Sequence, residues 1–229
     1  MPRLARLKME IGGEWEINEF ETLFSTIRGT YAYFYWISTP AERVDPIVRS
    51  QIQSRFWSTE RLPERLEYSF YERIPHEGRL KIASIQFASP GWVEIAAIAS
   101  VLLLVGKTTN VWIKAIDSGI DLLKKIDNFF EERKLKKVSQ SFSLSNIDGI
   151  TIDEARALCF EIGKHLSLTD EVIESMVSLA GNPISALRLM VRLSAEARRV
   201  HGLTISGRLI LPESPTEIPA NKNLPSQEK

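Results

Sequence analysis

Gly106-Lys107-Thr108 has the composition of the end of a phosphate-binding loop. Such a loop wraps phosphates with backbone amides and needs a further glycine five positions earlier. The chain has Val101 there, and Leu102 to Val105 are bulky aliphatic residues. A run of that kind is expected inside a fold, and no nucleotide is expected on it. Ser89-Pro90-Gly91 offers a different chemistry, a helix start whose free amides and dipole favour an anion. Proline removes one donor, and no lysine or arginine is adjacent, so the segment reads as a tight strand-to-helix corner. His76, His165 and His201 are far apart and show no H-x-x-x-H spacing. A zinc site needs three or four convergent ligands, so no metal is expected. Nucleophilic catalysis needs an activated Ser, Cys or Thr beside an oriented base, and the chain has no G-x-S-x-G. Asp153-Glu154 and Asp170-Glu171 fall in first helical turns, where carboxylates complement the helix dipole. No catalytic residue and no cofactor is assigned, and an enzyme is not the expected class.

Two constellations suit contact with another macromolecule. Arg188, Arg192, Arg198 and Arg199 crowd one late helix, with Arg188, Arg192 and Arg199 on one face. Three helices followed by a short strand outline a winged helix. A recognition helix, however, needs polar tips toward base edges, and this one is filled by Ile184, Leu187, Leu189, Met190, Val191 and Leu193. Nucleic acid is therefore an unfavoured partner. The second constellation is the apolar run Trp92–Val105, 14 residues with Glu94 inside it. A membrane span needs about 20 predominantly apolar residues. The run is read as a buried helix; the alternative is an interfacial hairpin ending in the basic cluster Arg133-Lys134-Leu135-Lys136-Lys137, with a membrane surface as partner.

The bulk composition narrows the field. The chain has 229 residues, with Lys plus Arg equal to Asp plus Glu at 29 each and a formal net charge of zero. No field of one sign steers it toward nucleic acid or anionic lipid. Hydrophobic residues at 44% and charged residues at 25% are those of an ordinary globular protein. Cys159 is the single cysteine, so no disulfide framework exists, and its apolar position reads as core. The start, MPRLARLKMEIGG, has no continuous apolar h-region. A cytoplasmic location is expected.

The elements follow from periodicity. Leu7, Met9 and Ile11 alternate with Arg6, Lys8 and Glu10 as a half-buried strand. Asn18 and Glu21 have capping-box spacing, and Phe20, Leu23, Phe24, Ile27, Tyr31, Phe34 and Tyr35 then recur at helical steps. Asp45-Pro46 suits a short helix start. Leu66–Ile74 and Arg79–Ala88 read as two strands around the turn Pro75-His76-Glu77-Gly78, and a helix is expected from Pro90. A second amphipathic helix is expected over 108–137, with Trp112, Ile116, Ile120, Leu123, Ile126 and Phe130 on one face. Thr151 and Glu154 repeat the capping-box spacing before Ala155, Leu158, Cys159, Ile162 and Leu166. Asp170 to Ala180 is the next helix, and Gly181-Asn182-Pro183 stops it and starts a third reaching about Val200. Leu203–Leu211 suits a last strand, and the proline-rich tail beyond it is expected to be disordered.

The fold class expected is thus α+β: a small, mostly antiparallel sheet covered by helices, a long apolar and amphipathic helical segment, and a C-terminal three-helix unit. The divisions expected are an α+β domain over 1–137 with its helical segment at 90–137, a linker or edge strand over 138–150, a trihelical unit over 151–211, and a tail over 212–229. The function expected is a non-enzymatic interaction or assembly module that self-associates through helical surfaces or binds another protein. Its contact residues are expected among Trp92, Trp112, Ile116, Leu123, Phe130, Arg188, Arg192 and Arg199. A peripheral membrane effector built on 90–137 and a winged-helix-like nucleic-acid regulator are the alternatives.

Overall fold

The computed structural model describes residues 3–55, 66–86, 90–117, 122–133, 135, 147–212 and 216–217. The first strand, β1 (Leu4–Ile11), alternates as its sequence requires, with Ala5, Leu7, Met9 and Ile11 buried on one face. It pairs antiparallel with β3 (Gly91–Ile98) along its whole length, Leu4 opposite Ile98 and Ile11 opposite Gly91. β2 (Lys81–Gln86) pairs antiparallel with the other side of β3. On the far side of β1, β4 (Leu209–Ile210) pairs with Glu10 and Ile11, and β5 (Thr216–Glu217) pairs with Ala5 and Arg6. The order across the sheet is β2-β3-β1-β4.

Helices cover the face that carries Leu7, Met9, Val93 and Ile95. One contributor is α1 (Ile17–Ser38), whose Leu23 and Ile27 meet Leu7 and Met9 across the interior. Its opposite side is buried too, against α3 (Leu66–Glu72), α7 (Asp170–Ala180) and α8 (Pro183–Ile205). That double burial explains its aromatic density: Tyr31, Tyr33, Phe34 and Trp36 are core residues. Fully burying one large apolar side chain contributes about 1.5–3 kcal/mol, so α1 is a major anchor of the fold. Its cap lies two residues before the expected Asn18. The Glu16 amide donates to Glu19 Oε2 at 2.9 Å, and Glu16 returns an acceptor to the first turn, so a carboxylate performs the capping that an amide was expected to do. The next helix, α2 (Pro46–Arg55), starts as expected, with Asp45 Oδ1 accepting from the amides of Ile47 at 2.8 Å and Val48 at 3.2 Å.

Two segments differ in type from their expected structure. Leu66–Ile74 is not a strand; its first seven residues are α3, followed by a one-turn 3-10 helix at His76–Gly78. The buried positions are Glu67, Phe70 and Ile74, at three- and four-residue steps, while Tyr68 faces out. Gly91–Ile98 is strand β3 and not the start of a helix. Val93, Ile95 and Ala97 point into the core, and Glu94 stays on the outer face beside Arg6 and Ser84. The helical segment therefore begins at Ala99, whose amide donates to Arg3 O at 2.8 Å. It comprises α4 (Ala99–Asp117), which runs through Gly106 unbroken, and α5 (Leu122–Glu132).

The C-terminal helices are α6 (Gly149–His165), α7 and α8. Asp148, not Thr151, caps α6: it accepts from Thr151 N at 2.7 Å and Thr151 Oγ1 at 3.0 Å. These bonds hold its carboxyl below the usual carboxylate range. Gly181 takes the left-handed conformation, φ 82°, that ends α7; Asn182 then caps α8, with Pro183 in its first turn, as expected. α8 runs five residues past Val200, so His201 and Gly202 lie inside it. Only Leu209–Ile210 of the expected 203–211 strand is extended. Within the expected tail, Thr216–Glu217 is paired to β1, while 213–215 and 218–229 lie outside the described residues; of the expected linker or edge strand over 138–150, residues 138–146 also lie outside them, and Gly149 and Ile150 already belong to α6.

Candidate interaction surface

α8 presents three of the expected contact arginines, and each is held by a different neighbour. Arg188 lies with its guanidinium 5.2 Å from the centre of the Phe130 ring and donates to Leu135 O at 3.1 Å. Two expected contact residues thus meet, but Phe130 is buried against Phe129. Arg192 Nε donates to Glu67 Oε1 at 2.5 Å, and Tyr33 donates its hydroxyl to the same oxygen at 3.2 Å. Arg199 pairs with Glu196 at 3.1 Å and donates to Ser25 Oγ at 3.4 Å.

Sequence reasoning missed the acidic half of this network. Glu196 is 1% exposed and lies between Arg192 and Arg199, one helical turn from each. Its position four residues after Arg192 and three before Arg199 was the available signal. Burial pushes its carboxyl above the usual range, opposed by the two guanidinium groups and reinforced by Glu67. Tyr33 is raised well above the ordinary phenol value, by burial first and then by Glu67. Burial draws Arg192 down, but Glu67, Tyr33 and Glu196 outweigh it and leave its pKa raised. Glu67 reaches this place because α3 crosses α1 at Gly29, where an added Cβ would stand 3.2 Å from Glu67 Cβ. The cluster is an ionic joint between α1, α3 and α8.

The remaining expected residues are dispersed. Trp92 is half-buried on the outer face of the sheet, its Nε1 donating to Gln86 Oε1 at 2.7 Å and Lys8 Nζ sitting 4.9 Å from its ring centre. Trp112 and Ile116 belong to α4 and Leu123 to α5; their side chains lie outside the described residues. The apolar face of these two helices, including Val101, Leu102, Val105, Ile113, Ile126 and Phe129, is in the core. Among the described residues, no helix is long and apolar enough to cross a membrane.

Exposed large apolar residues are scattered, Leu103 on α4 and Ile17, Ile150, Ile205 and Ile210 among them, but two lie together on one strand. Ile82 stands opposite Ile95, and Ile85 opposite Val93, so both isoleucines are on the helix-covered side of the sheet. Ile95 is 2% exposed, yet Ile82 is 57% and Ile85 36% exposed. Among the described residues, the helical layer stops short of β2. Three residues apart, the two side chains would face opposite ways on a regular strand. A β-bulge between Ile82 and Ser84 removes Ala83 from the alternation and puts both on one face. Close to the start of β2, Tyr71 donates to Leu80 O at 3.3 Å, and Arg28 lies between the Tyr68 and Tyr71 rings.

The void between Met9, Thr26, Val105 and Pro212 measures about 20 Å³, room for about one water. A broader hollow of about 750 Å³ over the Ala41–Ser54 segment is open to solvent. Among the described residues, no three His, Cys, Asp or Glu side chains converge as metal ligands would. Compared with protein-family models, curated proteins and solved structures, the chain matches none.

Proposed function

We propose that this protein is a non-enzymatic interaction module that assembles with further copies of itself. The observation that carries the reading is the unfinished layer at β2, where the sheet face that is dry at Ile95 and Val93 continues onto exposed Ile82 and Ile85. Isolated exposed apolar residues are normal on monomers. Here they prolong a core surface along a sheet edge, which is where an additional chain extends a fold. The inward apolar faces of α4 and α5, and the pairing of Arg192 and Arg199 with carboxylates, favour this reading over contact with lipid or nucleic acid.

Sedimentation velocity over a range of concentrations tests it. The expected result is reversible association that strengthens toward high micromolar protein. A strict monomer at several hundred micromolar would overturn the reading.

A further inference from the structure

Resting on that reading, we propose that two copies join edge to edge through β2, antiparallel about a two-fold axis at Ser84. Among the described residues, β2 ends the sheet, so its outer backbone groups face away from β3. The pairing that satisfies such groups is another strand.

The register follows from the bulge. Against β3, the strand counts as Lys81, Ile82, Ser84, Ile85, Gln86, with Ala83 the extra residue. That series is symmetric about Ser84. An antiparallel second copy sets Ile82 against Ile85 of the other chain, twice, and Ser84 against Ser84. All four isoleucines then share the helix-covered side, as cross-strand neighbours must. Lys81, the only charged residue of β2, faces Gln86 of the second copy, so like charges never oppose each other. Without the bulge, Ile82 and Ile85 would point to opposite sides and this register would bury neither pair. A bulge often blunts an edge; this one instead makes the strand self-complementary. A two-fold contact of this kind closes at the dimer.

Site-directed cross-linking tests the geometry. With oxidised glutathione as oxidant, two thiols of Ser84→Cys at the axis become one disulfide, their two protons and two electrons passing to the glutathione. Cys159 is buried and does not compete. Ser84→Cys is expected to give a covalent dimer at least about tenfold faster than Ser50→Cys, which lies on the exposed surface of α2. Ile82→Lys with Ile85→Lys is expected to raise the dimer dissociation constant at least about tenfold, since lysines then meet across the axis. Both positions are exposed, so the variant keeps its core, which circular dichroism verifies. Association of the wild type with no preferential Ser84→Cys cross-link and no effect of the lysines would overturn the β2 interface while leaving self-assembly standing. A wild type that stays monomeric would remove both.

Discussion

Arg192 Nε donates to Glu67 Oε1 at 2.5 Å, binding the middle of α8 to α3 across 125 positions of sequence. Glu67 is 8% exposed and Glu196 1%, so this guanidinium is the main compensation for two buried carboxylates. Breaking a buried ion pair from one side leaves uncompensated charge and costs about 3–5 kcal/mol. Arg192→Leu is expected to destabilise the protein by about that amount in urea unfolding. Arg192→Lys should recover only part of the loss, because an ammonium cannot reproduce the two-nitrogen contact with Glu67. A loss below about 1 kcal/mol in Arg192→Leu would show that the joint carries little.

Glu196 gives stability a definite dependence on pH. Its carboxyl is raised in the folded state, by burial first, against Arg192 and Arg199 and with Glu67. The folded protein therefore binds this proton more tightly than the unfolded chain. The contribution is complete below the ordinary carboxylate range and is lost as pH rises from there through the folded pKa. Glu196→Gln lacks this titration. Its stability relative to wild type is expected to improve on going from about pH 4 to pH 7. Tyr33, which shares the cluster, is raised above its ordinary phenol range and stays neutral over this interval. Paired urea titrations at the two pH values measure the difference; a difference moving the opposite way would contradict the assignment.

The same network shows how far the sequence could be read. Capping and turn chemistry transferred well where the signal is local: Asp45-Pro46 and Gly181-Asn182-Pro183 do what their backbone preferences dictate. Elements whose type depends on tertiary burial did not. In 66–74, the alternation of Tyr68, Phe70 and Ile74 suggests a strand, yet the decisive position is Glu67, buried only because Arg192 and Tyr33 await it. In 91–98, an almost wholly apolar run is consistent with helix or strand. The charge at Glu94 settles it only once Arg6 and Ser84 are known to flank it. The exposed pair Ile82 and Ile85 was illegible for a related reason, since a bulge leaves no trace in the hydrophobic pattern of one strand.

Gly163 marks a close approach of α6 to α7. A Cβ built there would lie 2.5 Å from both Cδ1 and Cγ1 of Ile173, a fully buried side chain. Overpacking of this kind costs about 1–3 kcal/mol. Gly163→Ala is expected to be destabilised in that range, although alanine is the better helix former. Adding Ile173→Ala removes the clashing atoms, so the double variant should be more stable than the sum of the two single effects predicts. Additivity within about 0.3 kcal/mol would show that the helices move apart instead.

Cys159 should behave as a core residue with no thiol chemistry in the native protein. It is fully buried in α6, and its Sγ–H donates to Pro183 O at 3.3 Å, at the start of α8. Burial pushes its pKa up to about 12, with Arg156 lowering it and Glu174 raising it to smaller extents. The reactive species is the thiolate, so at pH 8 the folded chain offers almost none and gives a reagent no access to it. Reaction with a disulfide reagent is therefore expected to be slow in buffer and complete within minutes in concentrated guanidinium. Its rate in buffer should follow the population of opened molecules, so that Arg192→Leu, by lowering stability, accelerates labelling even though the mutated residue is on another helix. Rapid labelling of the native wild type would place the thiol at the surface and refute the packing of α6 against α8.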